Sequence, residues 1–141
     1  MTMHETPEQK IYERKFATAL AERFGGRVCE LPYTYGLDWM WEHDQLRFLE
    51  YKKINYSSTD LKEFMCSLYK LERANVLFDT TGRKSFLIVH CIDGVFVAPI
   101  THLILNEDYR INFWGREDRH YEPQAMIPIG AFKDIKDVFH G

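Results

Sequence analysis

The chain predicts a mixed α/β fold in which a central mixed β-sheet is flanked by helices. Three features lead there: a long helical segment with clear start and stop signals near the N-terminus, two strand pairs joined by short polar breaks, and an apolar stripe of helical spacing between those pairs. A length of 141 residues fits one domain spanning 1–141, and 45% apolar residues suffice for a real core.

The elements follow in order. Thr6-Pro7-Glu8 is a helix start with proline in the first turn, and Gly25-Gly26 is the matching stop after Phe24. Residues 27–31 read as a first strand and 32–36 as a turn. Two aromatic-rich runs follow, 37–42 (L-D-W-M-W-E) and 46–52 (L-R-F-L-E-Y-K), separated by the hairpin-length break His43-Asp44-Gln45. After a polar stretch at 55–60, a helix is expected to start near Thr59 or Asp60, with Leu61, Phe64, Met65, Leu68 and Leu71 as its buried stripe. Residues 79–84 form a loop. Strands at 85–92 and 95–100 are joined by Asp93-Gly94, a strong hairpin signal. Further strands are expected at 109–114 and 125–129, with a charged loop at 115–121 between them and a short turn at 132–138. No internal repeat or low-complexity tract appears.

The first hairpin carries the chemistry. Side chains alternate faces along a strand, so Asp38, Met40 and Glu42 share one face, and Leu46, Phe48, Glu50 and Lys52 share a face of the next strand. With Asp44 at the apex, Asp38 stands opposite Glu50 and Met40 opposite Phe48, and paired side chains sit roughly 5 Å apart at Cβ. Two carboxylates that close repel, so they require a cation or a proton between them. Lys52 stays on the same face. Two acids and an amine can hold a divalent metal beside a phosphodiester and direct a water at it. The plainer alternative is a chance acid-x-lysine triplet at a solvated strand end. A register slip of one residue turns Asp38 to the other face and removes the constellation.

Other site classes lack support. The formal charge of −3 argues against indiscriminate nucleic-acid coating. Cys29, Cys66 and Cys91 are odd in number and form no C-x-x-C pair, which disfavours a zinc ribbon or a disulfide framework and fits a reducing cytoplasm. Cys66 and Cys91 read as small buried hydrophobes. The six histidines form no H-E-x-x-H or H-x-x-x-H pattern, there is no G-x-S-x-G elbow, and Gly25-Gly26-Arg27 lacks the ending of a phosphate loop. Arg116, Arg119 and His120 in the charged loop read first as a solvated surface. The polar start of the chain is not a signal sequence, and no apolar run reaches membrane-spanning length.

Asp38, followed by Glu50-Tyr51-Lys52 after the hydrophobic lead-in Arg47-Phe48-Leu49, resembles the PD-(D/E)XK nuclease superfamily, whose fold is shared by restriction enzymes, Holliday-junction resolvases and repair nucleases. A helix bearing Glu13 precedes these residues and a second helix follows, so the resemblance covers about residues 8–92. One letter departs, with Leu37 where the family often has proline. The resemblance implies an α-β-β-β-α-β restriction-endonuclease-like core with a C-terminal β extension. It implies a Mg2+- or Mn2+-dependent hydrolase of nucleic acid, in particular a DNA endonuclease. Asp38, Glu50 and the backbone carbonyl of Tyr51 would hold the metal, and Glu13, beside the buried stripe of the first helix, is a further candidate ligand, although its plainer reading is a surface glutamate. Lys52 would orient the attacking water and offset charge on phosphorus. Lys53, Lys62, Lys70 and Arg73 are candidates for contacting the nucleic-acid backbone. Cutting two strands or a junction with so small a domain implies a homodimer. The alternative is a catalytically silent module of the same fold that binds DNA or a protein, which the acidic balance and Trp39, Trp41 and Trp114 would suit.

Overall fold

A computed structural model describes residues 6–103, 110–114 and 122–139. Helix α1 (Pro7–Phe24) begins where expected, because the Thr6 hydroxyl accepts from the Gln9 N–H while the Gln9 side chain accepts from the Thr6 N–H. It ends at Gly25, whose N–H donates to Ala21 O. Gly26 (φ +80°) then passes so close to Glu42 and His43 that a Cβ has no room.

Strands β1 (Arg27–Glu30), β2 (Trp39–Glu42) and β3 (Leu46–Lys53) form an antiparallel run. A long crossover containing β4 (Glu63–Ser67) and α2 (Leu68–Thr81) brings β5 (Ser85–Cys91) parallel to β3. The two-residue turn Ile92-Asp93 returns the chain as β6 (Gly94–Pro99), whose Gly94 already pairs with Cys91, and β9 (Lys133–Asp134) pairs with the outer edge of β6. The main sheet has the order β1-β2-β3-β5-β6-β9 and is mixed, as predicted. Strands β7 (Arg110–Trp114) and β8 (Glu122–Pro128) join β4 in a second, antiparallel sheet of order β4-β8-β7.

The main sheet is covered on both faces. On one side Trp39, Trp41, Leu49, Tyr51, Ile88 and Val97 pack against Leu20 and Phe24 of α1 and against Ile135 and Phe139, the former in the one-turn helix α3 (Ile135–Val138). On the other side Phe48, Leu87, Val89 and Ala98 meet Leu71, Ala74 and Leu77 of α2 and Phe64, Cys66, Ala125 and Ile127 of the second sheet. Strand alternation sends odd and even positions of β3 to different cores, which is why Phe48 and Leu49 are both buried.

Three expectations are corrected. The helix does not start at Thr59 or Asp60: Ser58–Asp60 is a single 3-10 turn capped by Ser57, residues 63–67 are strand β4, and α2 starts after Ser67, whose hydroxyl accepts from the Tyr69 N–H. Within 63–67 only Phe64 and Cys66 are buried, a period of two that matches pairing of Phe64 with Ile127 and Cys66 with Ala125. The spacing of Leu61, Phe64 and Met65 also fits a helix, and the distant partner strand decided between the two. At its far end α2 continues to Thr81, with Gly82 in the left-handed conformation (φ +74°), so half of the expected 79–84 loop is helical. The expected turn at 132–138 is β9 and α3. The charged loop at 115–121, with Arg116, Arg119 and His120, lies outside the described residues.

Candidate active site

The approach to Asp38 is shaped by a 3-10 turn at Tyr33–Tyr35 and by Gly36 in the left-handed conformation (φ +83°). Arg73 of α2 closes over this turn, its Nε donating to Tyr35 O at 3.2 Å, and a Cβ on Gly36 would lie 2.5 Å from Arg73 Cγ. Gly36→Ala is therefore expected to destabilise the chain by about 1–2 kcal/mol from backbone strain alone. It should also displace Asp38. Chemical denaturation of the variant checks the first effect, and an unchanged midpoint would show the turn to be more plastic than its contacts imply.

The β2–β3 register is the expected one from Trp39 opposite Leu49 to Glu42 opposite Leu46. It stops one residue short of the expected Asp38–Glu50 pair. The Asp38 N–H donates to Leu49 O at 3.1 Å, so the ladder breaks there, and Asp38 Oδ2 accepts from the Tyr51 N–H at 2.8 Å. The carboxylate thus satisfies a β3 amide that has run past its partner strand. Direct ladder pairing is replaced by this side-chain bond, and the Asp38 charge still reaches Glu50.

Glu50 is largely enclosed, its side chain 13% exposed. Oε2 meets Lys70 Nζ at 3.3 Å, whereas Oε1 is buried with no hydrogen-bond partner among the described residues. Burial first, and then the Asp38 carboxylate, push the Glu50 carboxyl well above the usual carboxylate range, only partly opposed by Lys70 and Lys52. Burial by itself would lower the Lys70 ammonium, but Glu50 and Asp38 outweigh it, and its pKa lies above the ordinary lysine value. Lys52 is exposed at the end of β3, near enough to Glu50 to oppose that shift. Cys66 of β4 lies close by; burial and then the Glu50 charge push its thiol up to about 12, so it is no nucleophile.

Tyr51 faces away from this cluster. Its ring stacks on Trp39 (5.3 Å) and tilts against Phe16 (4.6 Å), and its hydroxyl bonds His90 Nδ1 at 2.8 Å. Burial, followed by the charge of Glu13, holds that phenol above its ordinary pKa. Glu13 is accordingly on the α1 side of the sheet, 9% exposed and 3.4 Å from Lys10. It is buried, not the plain surface glutamate that the sequence favours, and it stands by the Tyr51 side chain, on the face opposite Glu50.

The four candidate backbone-contacting cations separate. Lys53 is exposed with its ammonium 5.2 Å from the Tyr12 ring centre, again on the α1 side, and Lys62 is exposed just before β4. Arg73 is engaged with the turn before Asp38. Lys70 is not an outward-facing contact at all but part of the carboxylate cluster, a placement the sequence reading missed. The available signal was its spacing to the buried Ala74 and Leu77, one helical face, once α2 is known to start at Leu68.

Asp38 and Glu50 provide hard oxygen donors, and the unpartnered buried Oε1 of Glu50 needs a cation or a proton for company. Among the described residues no group of three or more His, Cys, Asp or Glu side chains converges. A two-carboxylate set suits a cation that keeps several waters, as magnesium does.

Known proteins resemble the chain in two ways. The family model described as "Phage putative PDDEXK endonuclease" matches residues 2–140. Among solved structures, Hjc of Archaeoglobus fulgidus, a Holliday junction resolvase from an archaeal hyperthermophile, superposes with a TM-score of 0.61 at 11% identity, covering 93% of this chain and 94% of that one. No curated protein matches.

Proposed function

Because the chain belongs to the phage PDDEXK endonuclease family, whose model matches residues 2–140, we propose that it is a divalent-metal-dependent DNA endonuclease working through Asp38, Glu50 and Lys52. The observation that carries this reading is the pair of neighbouring carboxylates at the motif positions, one of them with a buried oxygen that has no hydrogen-bond partner among the described residues. Asp38, Glu50 and the Tyr51 carbonyl would hold Mg2+ or Mn2+, with Glu13 a more remote candidate. When bound, such a metal supplies Lewis acidity at phosphorus and lowers the pKa of a water.

The remaining work falls to the chain. The Tyr51 N–H bond to Asp38 Oδ2 holds the carboxylate in one orientation, which preorganises it as a ligand. The exposed Lys52 ammonium can reach solvent and substrate together, which suits it to orient the nucleophile and offset charge developing on the phosphoryl oxygens. Packing of the Tyr51 ring into the α1-side core anchors the strand between the two motif residues.

The test is cleavage of supercoiled plasmid in Mg2+ or Mn2+ by wild type and Lys52→Met. The variant is expected to lose about 100- to 1,000-fold in rate while binding metal as before. Wild-type protein that binds metal and leaves plasmid, flap and junction substrates intact would favour the silent module instead. One motive for that alternative is gone, since Trp39 and Trp41 are core residues and not an interaction surface.

A single nuclease domain over 1–141 and a homodimer belong to the same proposal. One such centre cuts one strand, so two-strand cutting calls for two copies. A strict monomer in light scattering at working concentration, with DNA bound, would remove the dimer. No described helix is long and apolar enough to cross a membrane. A cytoplasmic location is proposed on the three free thiols.

A further inference from the structure

We infer that Lys70 is the site's resident counter-ion, whose ammonium takes the cation's place beside Glu50 until a divalent metal displaces it, and which thereby sets how tightly that metal binds. The inference rests on the metal-dependent reading above and assigns a regulator of that same site.

The geometry argues for it in three steps. Lys70 and Glu50 are both withdrawn from water, at 20% and 13% side-chain exposure, and their charged atoms lie 3.3 Å apart. A buried ammonium is tolerated only where an anion compensates it, so Lys70 is there for the carboxylates rather than for solvent. Second, the contact is one-sided: Lys70 meets Oε2, and Oε1 has no hydrogen-bond partner among the described residues. A guanidinium could have bridged both oxygens, whereas the lysine leaves half the carboxylate open to another cation. Third, the site already has an amine placed for substrate in Lys52, exposed on β3, while Lys70 approaches from α2 within the protein. The two amines therefore differ in role, one facing substrate and one neutralising the carboxylates.

A lysine and a metal sharing one carboxylate are competing ligands, and each must weaken the other by the same factor. Filling the place with a tethered charge also keeps the Asp38–Glu50 repulsion from opening the end of β3 when metal is scarce. Release of the ammonium on metal binding would leave it beside the entering phosphate, a position of use to an anionic substrate.

The experiment is calorimetric titration of Mn2+ into wild type, Lys70→Met, Lys70→Gln and Lys70→Arg, with thermal unfolding of each with and without saturating Mn2+. Both neutral variants are expected to bind Mn2+ roughly tenfold tighter than wild type. They should melt below wild type in metal-free buffer and recover with Mn2+, whereas Lys70→Arg, which can bridge both Glu50 oxygens, should melt near wild type without metal and bind Mn2+ more weakly than wild type. A neutral variant that folds only with Mn2+ present supports the inference as well. Unchanged or weaker Mn2+ binding in both neutral variants overturns it, as does a melting deficit of the same size with and without metal. If wild type binds Mn2+ and loses it in Asp38→Asn while the Lys70 variants match wild type, the counter-ion inference alone has failed. If neither wild type nor any Lys70 variant binds Mn2+, the metal-dependent reading fails with it.

Discussion

Asp38→Asn is expected to lower DNA cleavage by about a thousandfold or more while leaving the fold intact. The asparagine keeps an oxygen where Asp38 Oδ2 now accepts from the Tyr51 N–H at 2.8 Å, so the break in the β2–β3 ladder retains its hydrogen bond. The negative charge goes, and with it both the proposed metal ligand and the repulsion felt by Glu50. Stability should therefore be unchanged or slightly higher, with Mn2+ affinity much reduced. Asp38→Ala provides the contrast: it leaves the Tyr51 N–H without its partner, which costs about 1–3 kcal/mol for a buried donor. Comparing the two separates the chemistry of the carboxylate from its role at the strand end. Cleavage by Asp38→Asn at the wild-type rate would reduce Asp38 to a strand cap and sink the site assignment.

The largest effect on stability is expected from Trp41→Ala. Trp41 is fully buried, its Nε1 donates to Gly25 O at 3.0 Å, and its ring lies between His43 (5.6 Å) and Phe139 (4.9 Å) with the Arg47 guanidinium 5.1 Å from its centre. Truncation to alanine empties the junction of α1, β2 and the C-terminal segment at once. Such a change costs about 3–5 kcal/mol. Domains of this size have only about 5–15 kcal/mol in total, so much of the margin disappears. Trp41→Phe keeps most of the volume and loses the indole bond, with an expected penalty of about 1–2 kcal/mol. Urea denaturation of the three proteins checks the order. A Trp41→Ala midpoint equal to wild type would mean that α1 is not held to the sheet through this residue.

Local signals were sufficient for α1 and for both hairpins. Thr6, Pro7 and Gly25 act within a turn of their own positions, and the β2–β3 register follows from a three-residue break and a period of two, so neighbours in sequence determine it. The same locality made Asp38 and Glu50 legible as companions. It could not foresee that the ladder ends at Trp39, because the turn that lifts Asp38 out of register is held by Arg73, a side chain on α2.

By itself, then, the sequence determined the mixed α/β class, the two hairpins and the identity of the carboxylate pair. Tertiary structure alone decided three further matters. Residues 63–67 became a strand because β8 supplies hydrogen bonds from the far end of the chain, overriding a spacing equally compatible with a helix. That choice moved the start of α2 to Leu68 and so turned Lys70 inward onto Glu50. Glu13 went to the opposite face with α1, because Phe16, Leu20 and Phe24 had to cover Trp39, Trp41 and Tyr51. In each case the deciding partner is remote along the chain, and a period of two or of 3.6 carries no record of which surface it will meet.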